Sequence, residues 1–130
     1  MQLVELVAII AVIQFLWFGG LTGNARRISG LKAPAITGDA RFECMYRVQM
    51  NTLEMLVPFF PALFIAANYW PGILVAATGA VYVVGRFLYW RAYVSDPSTR
   101  GLGFMLSLIP IAVLVVLALL GSTLSLLGLR

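Results

Sequence analysis

Residues 55–85 read MLVPFFPALFIAANYWPGILVAATGAVYVVG and contain no charged side chain. A helix needs about 20 mostly apolar residues to cross a bilayer, so this stretch with its flanks is long enough for two crossings. The segment Asn68-Tyr69-Trp70-Pro71-Gly72 divides it, and its Asn, Pro and Gly residues are typical of a turn. The sequence therefore predicts a hairpin of two membrane-spanning helices.

Two further uncharged stretches, residues 6–25 and 101–129, flank this hairpin. Each is long enough for one crossing, so we predict an all-α membrane protein, a bundle of four transmembrane helices in a single integral membrane domain. The predicted helices cover residues 2–27, 43–68, 72–94 and 101–128. A transmembrane barrel would show short alternating segments instead. A secretory signal peptide is also not expected, because the first residues lack its basic region and a clear cleavage site.

The composition also indicates a chain that lies in lipid. Hydrophobic residues make up 62% of its 130 residues and charged residues only 11%, whereas soluble domains have roughly 45–50% and 25%. A domain of this size has too much surface to hide such an excess from water. We therefore expect neither a soluble enzyme nor a nucleic-acid-binding protein, and we expect membrane lipid as a partner.

The basic residues predict the orientation of the bundle. The first and third connections carry an excess of Lys and Arg, whereas the second, around Trp70, carries none. By the positive-inside rule the first and third connections face the cytoplasm and both termini lie on the other side. For Lys32, Arg41 and Arg91 we infer no role beyond setting this topology.

Polar residues inside the predicted spans form two stripes. Arg47, Asn51 and Glu54 share one face of the second helix, and the third helix carries a second stripe at helical spacing, namely Tyr82, Arg86, Tyr89 and Tyr93. In a hairpin that turns near residue 70, equal depth is predicted for Glu54 with Arg86, for Asn51 with Tyr89 and for Arg47 with Tyr93. Glu54 lies roughly 10 Å deeper than Arg47 at the rise of an α-helix.

Ionisable groups are costly at this depth and usually face the interior of a bundle. One interpretation is that the stripes form internal ion pairs and hydrogen bonds that specify helix packing. However, Arg47 and Arg100 have no obvious carboxylate left to pair with. Excess cations in a protected polar pocket favour a small anionic ligand, because the guanidinium fork binds carboxylates in bidentate fashion.

The chain lacks histidine and has one cysteine, Cys44. Zinc sites are built mainly from these two residue types, so we expect no metal. A cysteine nucleophile also has no histidine to serve as its base.

The run from Phe42 to Glu54, with Arg47, Asn51 and Glu54 in the order Arg-x-x-x-Asn-x-x-Glu, resembles the signature of the MAPEG family (membrane-associated proteins in eicosanoid and glutathione metabolism). The later run Gly85–Tyr93, followed by Arg100, is similar to the third helix of the family and the start of its fourth. Ala25-Arg26-Arg27 and the spacing from Tyr93 to Arg100 resemble its leukotriene-C synthase and microsomal glutathione transferase branch. The layout matches over nearly the whole chain.

The resemblance implies a homotrimer that binds glutathione, as co-substrate, between neighbouring subunits near the cytoplasmic face. It implies that the γ-glutamyl end is held by Arg47, Asn51, Glu54 and Tyr89, and the glycine carboxylate by Arg26 and Gln49. Tyr93 would lie near the cysteinyl part and Arg86 would support the polar stripes. Arg100 would be the catalytic residue, which activates the thiol.

The implied reaction is transfer of glutathione to a hydrophobic small molecule or lipid that enters from the membrane, with reduction of lipid hydroperoxides as a second activity. Two alternatives stay open. A non-catalytic lipid-binding or scaffold member of the same family would not need the complete set of Arg, Asn and Glu residues together with Arg100. A small multidrug exporter would have a carboxylate in the middle of its first span, where this chain has none after Glu5.

Overall fold

The computed structural model describes all 130 residues and is entirely helical between its loops. Helices α1 (Gln2–Ser29), α2 (Ala40–Tyr69), α3 (Gly72–Ser95) and α4 (Gly101–Leu126) are joined by short connections, and a 3₁₀ turn, Pro97–Thr99, precedes α4. All four helices are long and apolar enough to cross a membrane. The prediction of a four-helix transmembrane bundle is confirmed.

Both termini lie at the end of the bundle that holds the α2–α3 turn. A Cβ placed on Gly72 would be 3.3 Å from the backbone nitrogen of Met1, and the Arg130 guanidinium lies 4.5 Å from the centre of the Trp70 ring. The opposite end holds the α1–α2 and α3–α4 connections and most of the Lys and Arg residues, and we call it the basic end.

Local capping explains where α2 begins. The Asp39 carboxylate accepts a hydrogen bond from the backbone N–H of Phe42 at 3.0 Å, which satisfies one of the free donors at a helix start. The helix therefore begins at Ala40, three residues before the predicted position. α1 ends where Gly30 adopts a left-handed conformation with φ of 73°, which glycine tolerates without a Cβ clash.

The interior of the bundle is packed with apolar side chains from all four helices, among them the fully buried Val4, Phe59, Val75 and Leu114. Many other large apolar side chains point outward; Leu16 and Leu119, for example, are each 65% exposed. In water such a surface would be unfavourable, but in a bilayer it contacts acyl chains.

Two glycines bring α3 and α4 into close contact. A Cβ on Gly85 would approach the backbone carbonyl of Leu106 to 2.6 Å, and one on Gly103 would overlap the backbone of Tyr89. Small residues allow such close approach between membrane helices. The contact at Gly103 fixes the first turn of α4, directly after Arg100, against the level of Tyr89.

Candidate functional site

The α2 stripe lies on the outer surface of the protomer. Arg47 and Glu54 are exposed and Asn51 is half-buried between them. The Asn51 side-chain amide lies 3.5 Å from a Glu54 carboxylate oxygen, a long contact for a hydrogen bond. A carboxylate and a guanidinium thus stand on the outer face of a helix that is apolar enough to span a membrane.

The central residue of the α3 stripe is Arg86, whose side chain is 0% exposed. Its Nη1 atom donates a hydrogen bond to Asn51 Oδ1 at 2.8 Å, and its guanidinium lies 4.1 Å from the centre of the Tyr89 ring. The two polar stripes therefore meet at this point.

The sequence predicted only that Glu54 and Arg86 lie at equal depth, which left open whether the two side chains contact each other. Within the chain Arg86 binds Asn51, and the Glu54 carboxylate contacts the Asn51 amide instead of Arg86. The physical reason is that Glu54 points out of the protomer, whereas the long arginine side chain lies inside it and extends about one helical turn toward Asn51. Equal depth along the membrane normal does not fix the direction in which each side chain points.

The Arg86 contact also orients Asn51. A guanidinium has donors only, so Asn51 must present its carbonyl oxygen to Arg86. The NH₂ group of Asn51 consequently faces Glu54 and the outer surface, where it can donate to a ligand. Two other nitrogens of Arg86, Nε and Nη2, and the Tyr82 hydroxyl are buried and make no hydrogen bond within the chain.

Aromatic rings connect Arg86 to the basic end. The rings of Tyr89 and Tyr93 lie 5.4 Å apart between centres, and the Arg100 guanidinium lies 6.0 Å from the centre of the Tyr93 ring. Arg100 is exposed and its Nη1 atom donates to the backbone carbonyl of Pro97 at 3.0 Å. Side chains at one face of α3 and the start of α4 thus form a continuous polar row.

Arg26 and Gln49 do not contact the polar row on α3 but contact α1, α2 and the loop between them. Arg26 donates to the backbone carbonyl of Ala35 at 2.7 Å and stacks on the Phe42 ring at 4.4 Å, so it fixes the α1–α2 connection against α2. The Gln49 amide packs at Gly19 of α1, 3.2 Å from where a Cβ would stand. These two residues lie at the α1–α2 contact, and the contacts they make within the chain do not connect them to the polar row on α3.

Three residues that support this arrangement were not predicted from the sequence. Phe42 provides the ring under Arg26, and Gly103 provides the space beside Tyr89. Gln14, a buried amide in α1, donates to the backbone carbonyl of Val83 at 2.9 Å and holds α1 against α3. A lone glutamine within an apolar span was a signal that could have identified this contact.

The three main grooves of the protomer have volumes of about 510, 480 and 340 Å³. None of the nine predicted site residues lines any of them. The predicted site residues lie instead on the outer face of α2, in the row from Arg86 to Arg100, and at the α1–α2 contact.

A comparison with protein families shows which family of membrane proteins the chain belongs to. The sequence model of the MAPEG family matches residues 4–120, and the chain belongs to this family. Its resemblance to the family, noted from the two motifs, is therefore confirmed, and the chain is an integral, multi-pass membrane protein.

Several curated proteins are similar to it. An uncharacterized protein of Synechocystis is 43% identical over 98 residues, which cover 75% of this chain and 72% of the relative. Human microsomal glutathione S-transferase 2 is 34% identical over 119 residues, covering 92% and 81% of the two chains. Bovine leukotriene C4 synthase is 30% identical over 115 residues, covering 88% and 77%.

Proposed function

We propose that this protein is a membrane-bound glutathione transferase that activates the glutathione thiol and conjugates it to a hydrophobic electrophile. The observation that carries the proposal is the Arg86–Asn51–Glu54 contact beside the unpaired Arg47. It combines anion-binding and cation-binding groups on neighbouring turns of an apolar helix bundle. The family and the name of one relative, microsomal glutathione S-transferase 2, support glutathione as the substrate.

The charges of glutathione fit this set of residues. Glutathione has two carboxylates and one ammonium group, so it requires several cations and one anion. In the proposed site Glu54 binds the ammonium group, while Arg47, Asn51 and Tyr89 complete the contacts to the γ-glutamyl end. Arg26 and Gln49 bind the glycine carboxylate, and Tyr93 lies beside the cysteinyl part.

The proposed site is completed by a neighbouring subunit in a homotrimer. Glu54 and Arg47 are exposed on the protomer, yet ionisable groups within a membrane usually face a protein interior. A second subunit packed on this face of α2 would protect them from lipid and could supply the Arg26–Gln49 contacts. The number of three subunits follows from the family resemblance. The basic end, with the proposed site, faces the cytoplasm by the positive-inside rule.

The proposed role of Arg100 is electrostatic. A free thiol has a pKa of about 8.5 and reacts as the thiolate. An adjacent guanidinium, which stays charged, favours the thiolate, and lowering the pKa by two units needs about 2.7 kcal/mol. The thiolate then attacks the electrophilic carbon; a C–S bond forms and the leaving group departs with its electron pair.

Reduction of a lipid hydroperoxide is proposed as the second activity of the same site. Two glutathione molecules are oxidised to the disulfide, the O–O bond breaks, and the hydroperoxide becomes an alcohol and water. The same thiolate serves as the nucleophile, here attacking oxygen. Hydrophobic electrophiles and hydroperoxides both dissolve in the bilayer, which is why they are the proposed second substrates.

The experiment is a conjugation assay on detergent-purified protein with glutathione and an aryl halide. We expect catalysed conjugate formation by the wild type and a loss of at least about 100-fold, the range typical of one electrostatic contact to a reacting group, in Arg100→Ala. Arg41→Ala, which removes an exposed arginine at the same end, serves as the matched control. Conjugation at the uncatalysed rate by the wild type would support the non-catalytic, lipid-binding alternative instead.

A further inference from the structure

Two of the grooves lie along one line between α3 and α4. α3 supplies Leu74, Thr78 and Val81 to the inner groove of about 340 Å³, and Leu88, Arg91 and Ser95 to the outer groove of about 510 Å³. Within each groove these positions recur at intervals of three and four residues, and Val81 and Leu88 are seven residues apart, so they lie on one side of α3. The two grooves therefore open on the same side of the α3–α4 contact, one nearer the basic end than the other, and we call them together the α3–α4 groove.

The opposite wall of the α3–α4 groove comes from α4. Leu102 lines the outer part, and Leu106, Ile109 and Val113 line the inner part. From Leu102 to Val113 the helix rises about 16 Å, close to half of the hydrocarbon thickness of about 30 Å. On the α3 side the lining runs from Leu74 to Ser95, a rise of about 32 Å, so the two grooves together follow the full hydrocarbon thickness and the wall from Leu102 to Val113 covers the half next to the basic end.

The chemistry of the groove changes along its length. The inner part is apolar except for Thr78, whose hydroxyl is already bound to the backbone carbonyl of Leu74 at 2.9 Å. The outer part contains the exposed Arg91, with the hydroxyls of Ser95 and Thr99 nearby. No carboxylate lines either part, and the Arg91 guanidinium is 5.4 Å from the centre of the Trp90 ring.

We propose that the α3–α4 groove binds an anionic glycerophospholipid of the surrounding membrane. The phosphate contacts Arg91 at the basic end, and an acyl chain lies along the apolar part between Leu102 and Val113. Charge complementarity at Arg91 favours this occupant over a neighbouring helix, and the wall from Leu102 to Val113 is long enough for the acyl chain of one leaflet. None of the groove residues belongs to the proposed glutathione site, so this proposal does not rest on the proposed function.

The test is lipid retention measured by native mass spectrometry of the purified protein. The protein is exposed to equal amounts of phosphatidylglycerol and phosphatidylcholine with the same acyl chains. We expect phosphatidylglycerol to be retained about fivefold better, the ratio that corresponds to about 1 kcal/mol for one arginine near a membrane surface. Equal retention of the two lipids by the wild type, or no retention, would overturn the proposal.

Three variants test whether the lipid binds in this groove, and a fourth, Arg27→Ala, is the control. Arg91→Ala should abolish the preference for phosphatidylglycerol, and Arg91→Lys should keep most of it. Ala77→Trp should fill the inner groove and reduce retention of both lipids. Arg27→Ala, which removes an exposed arginine bound to Asn24 on α1, should behave as the wild type.

Two results would contradict the assignment. An unchanged preference in Arg91→Ala would place the headgroup elsewhere. Displacement of the lipid signal by inorganic phosphate alone would assign the site to a free anion and remove the role of the acyl chain.

Discussion

Arg86 provides the sharpest test of the proposed site, because its effects on stability and on ligand binding should separate. The side chain is 0% exposed and makes one side-chain hydrogen bond, to Asn51. Two of its nitrogens are buried without a partner. Replacing it with methionine, in Arg86→Met, removes the charge and keeps an unbranched side chain of similar length.

The two effects should differ in size. Removing Arg86 eliminates two buried nitrogens that have no partner but leaves Asn51 Oδ1 without its donor, which has a cost, so these contributions oppose each other and the melting temperature should change little. The same change frees the Asn51 amide, which loses a hydrogen bond to a charged group worth about 1.5–3 kcal/mol. Glutathione affinity should therefore fall by about 10- to 100-fold.

The assay is calorimetric or fluorescence titration of glutathione into detergent-purified protein, with the melting temperature of the same samples. Gln14→Leu is the matched control, since Gln14 is also a buried polar side chain with one hydrogen bond and an unpartnered oxygen, but it contacts Val83. It should leave glutathione affinity unchanged. A double-mutant cycle with Asn51→Ala should show that Arg86→Met adds little once the amide is absent.

Glutathione binding by Arg86→Met that is as tight as that of the wild type would contradict the proposed role of the Arg86–Asn51 contact. Equal loss of affinity in Gln14→Leu would also contradict it, because any disturbance of the bundle would then suffice.

Three further predictions follow from particular contacts. Gly103→Ala should lower the free energy of unfolding by about 1–3 kcal/mol, because the new methyl group overlaps the Tyr89 backbone. Gly101→Ala is the control and should leave the stability unchanged, because its methyl group meets open space. Thermal melts in detergent would compare the two variants. Glu54→Gln should weaken glutathione binding by at least about 10-fold, the loss expected for one charged contact, but should not weaken binding of an analogue that lacks the α-amino group. Asp39→Ala should cost about 1 kcal/mol through loss of the α2 cap, and Asp39→Asn, which preserves a cap, should restore most of the stability.

The number and placement of the helices could be predicted because lipid imposes a simple requirement. In lipid the backbone must satisfy its own hydrogen bonds, so long uncharged stretches separated by charged or turn-forming segments predict membrane-spanning helices. The start of α2 was placed too late, at residue 43, because the uncharged stretch was given priority over the Asp39 cap. Arg41 and Glu43 lie in the first turns of the helix, where charged side chains can remain at the membrane surface.

The site could be predicted only in part. Spacing within each helix placed Asn51 and Arg86 on polar stripes, but depth alone could not show that Arg86 binds Asn51, since arginine extends over a full turn. The close approach at Gly103 depends on tertiary packing that spacing does not encode. How Arg26 and Gln49 join the other residues remains a prediction, because their contacts within the chain are to Ala35, Phe42 and Gly19.

The most direct measurement is the ionisation state of the glutathione thiol in the protein. Ultraviolet difference spectra would be recorded over a pH series, with S-methylglutathione as the reference ligand that occupies the site but has no ionisable thiol. We predict a thiolate signal that titrates about two pH units below the free thiol value of about 8.5, and a return toward that value in Arg100→Ala. A wild-type titration at the free value, or an unshifted titration in Arg100→Ala, would contradict electrostatic activation of glutathione by this arginine.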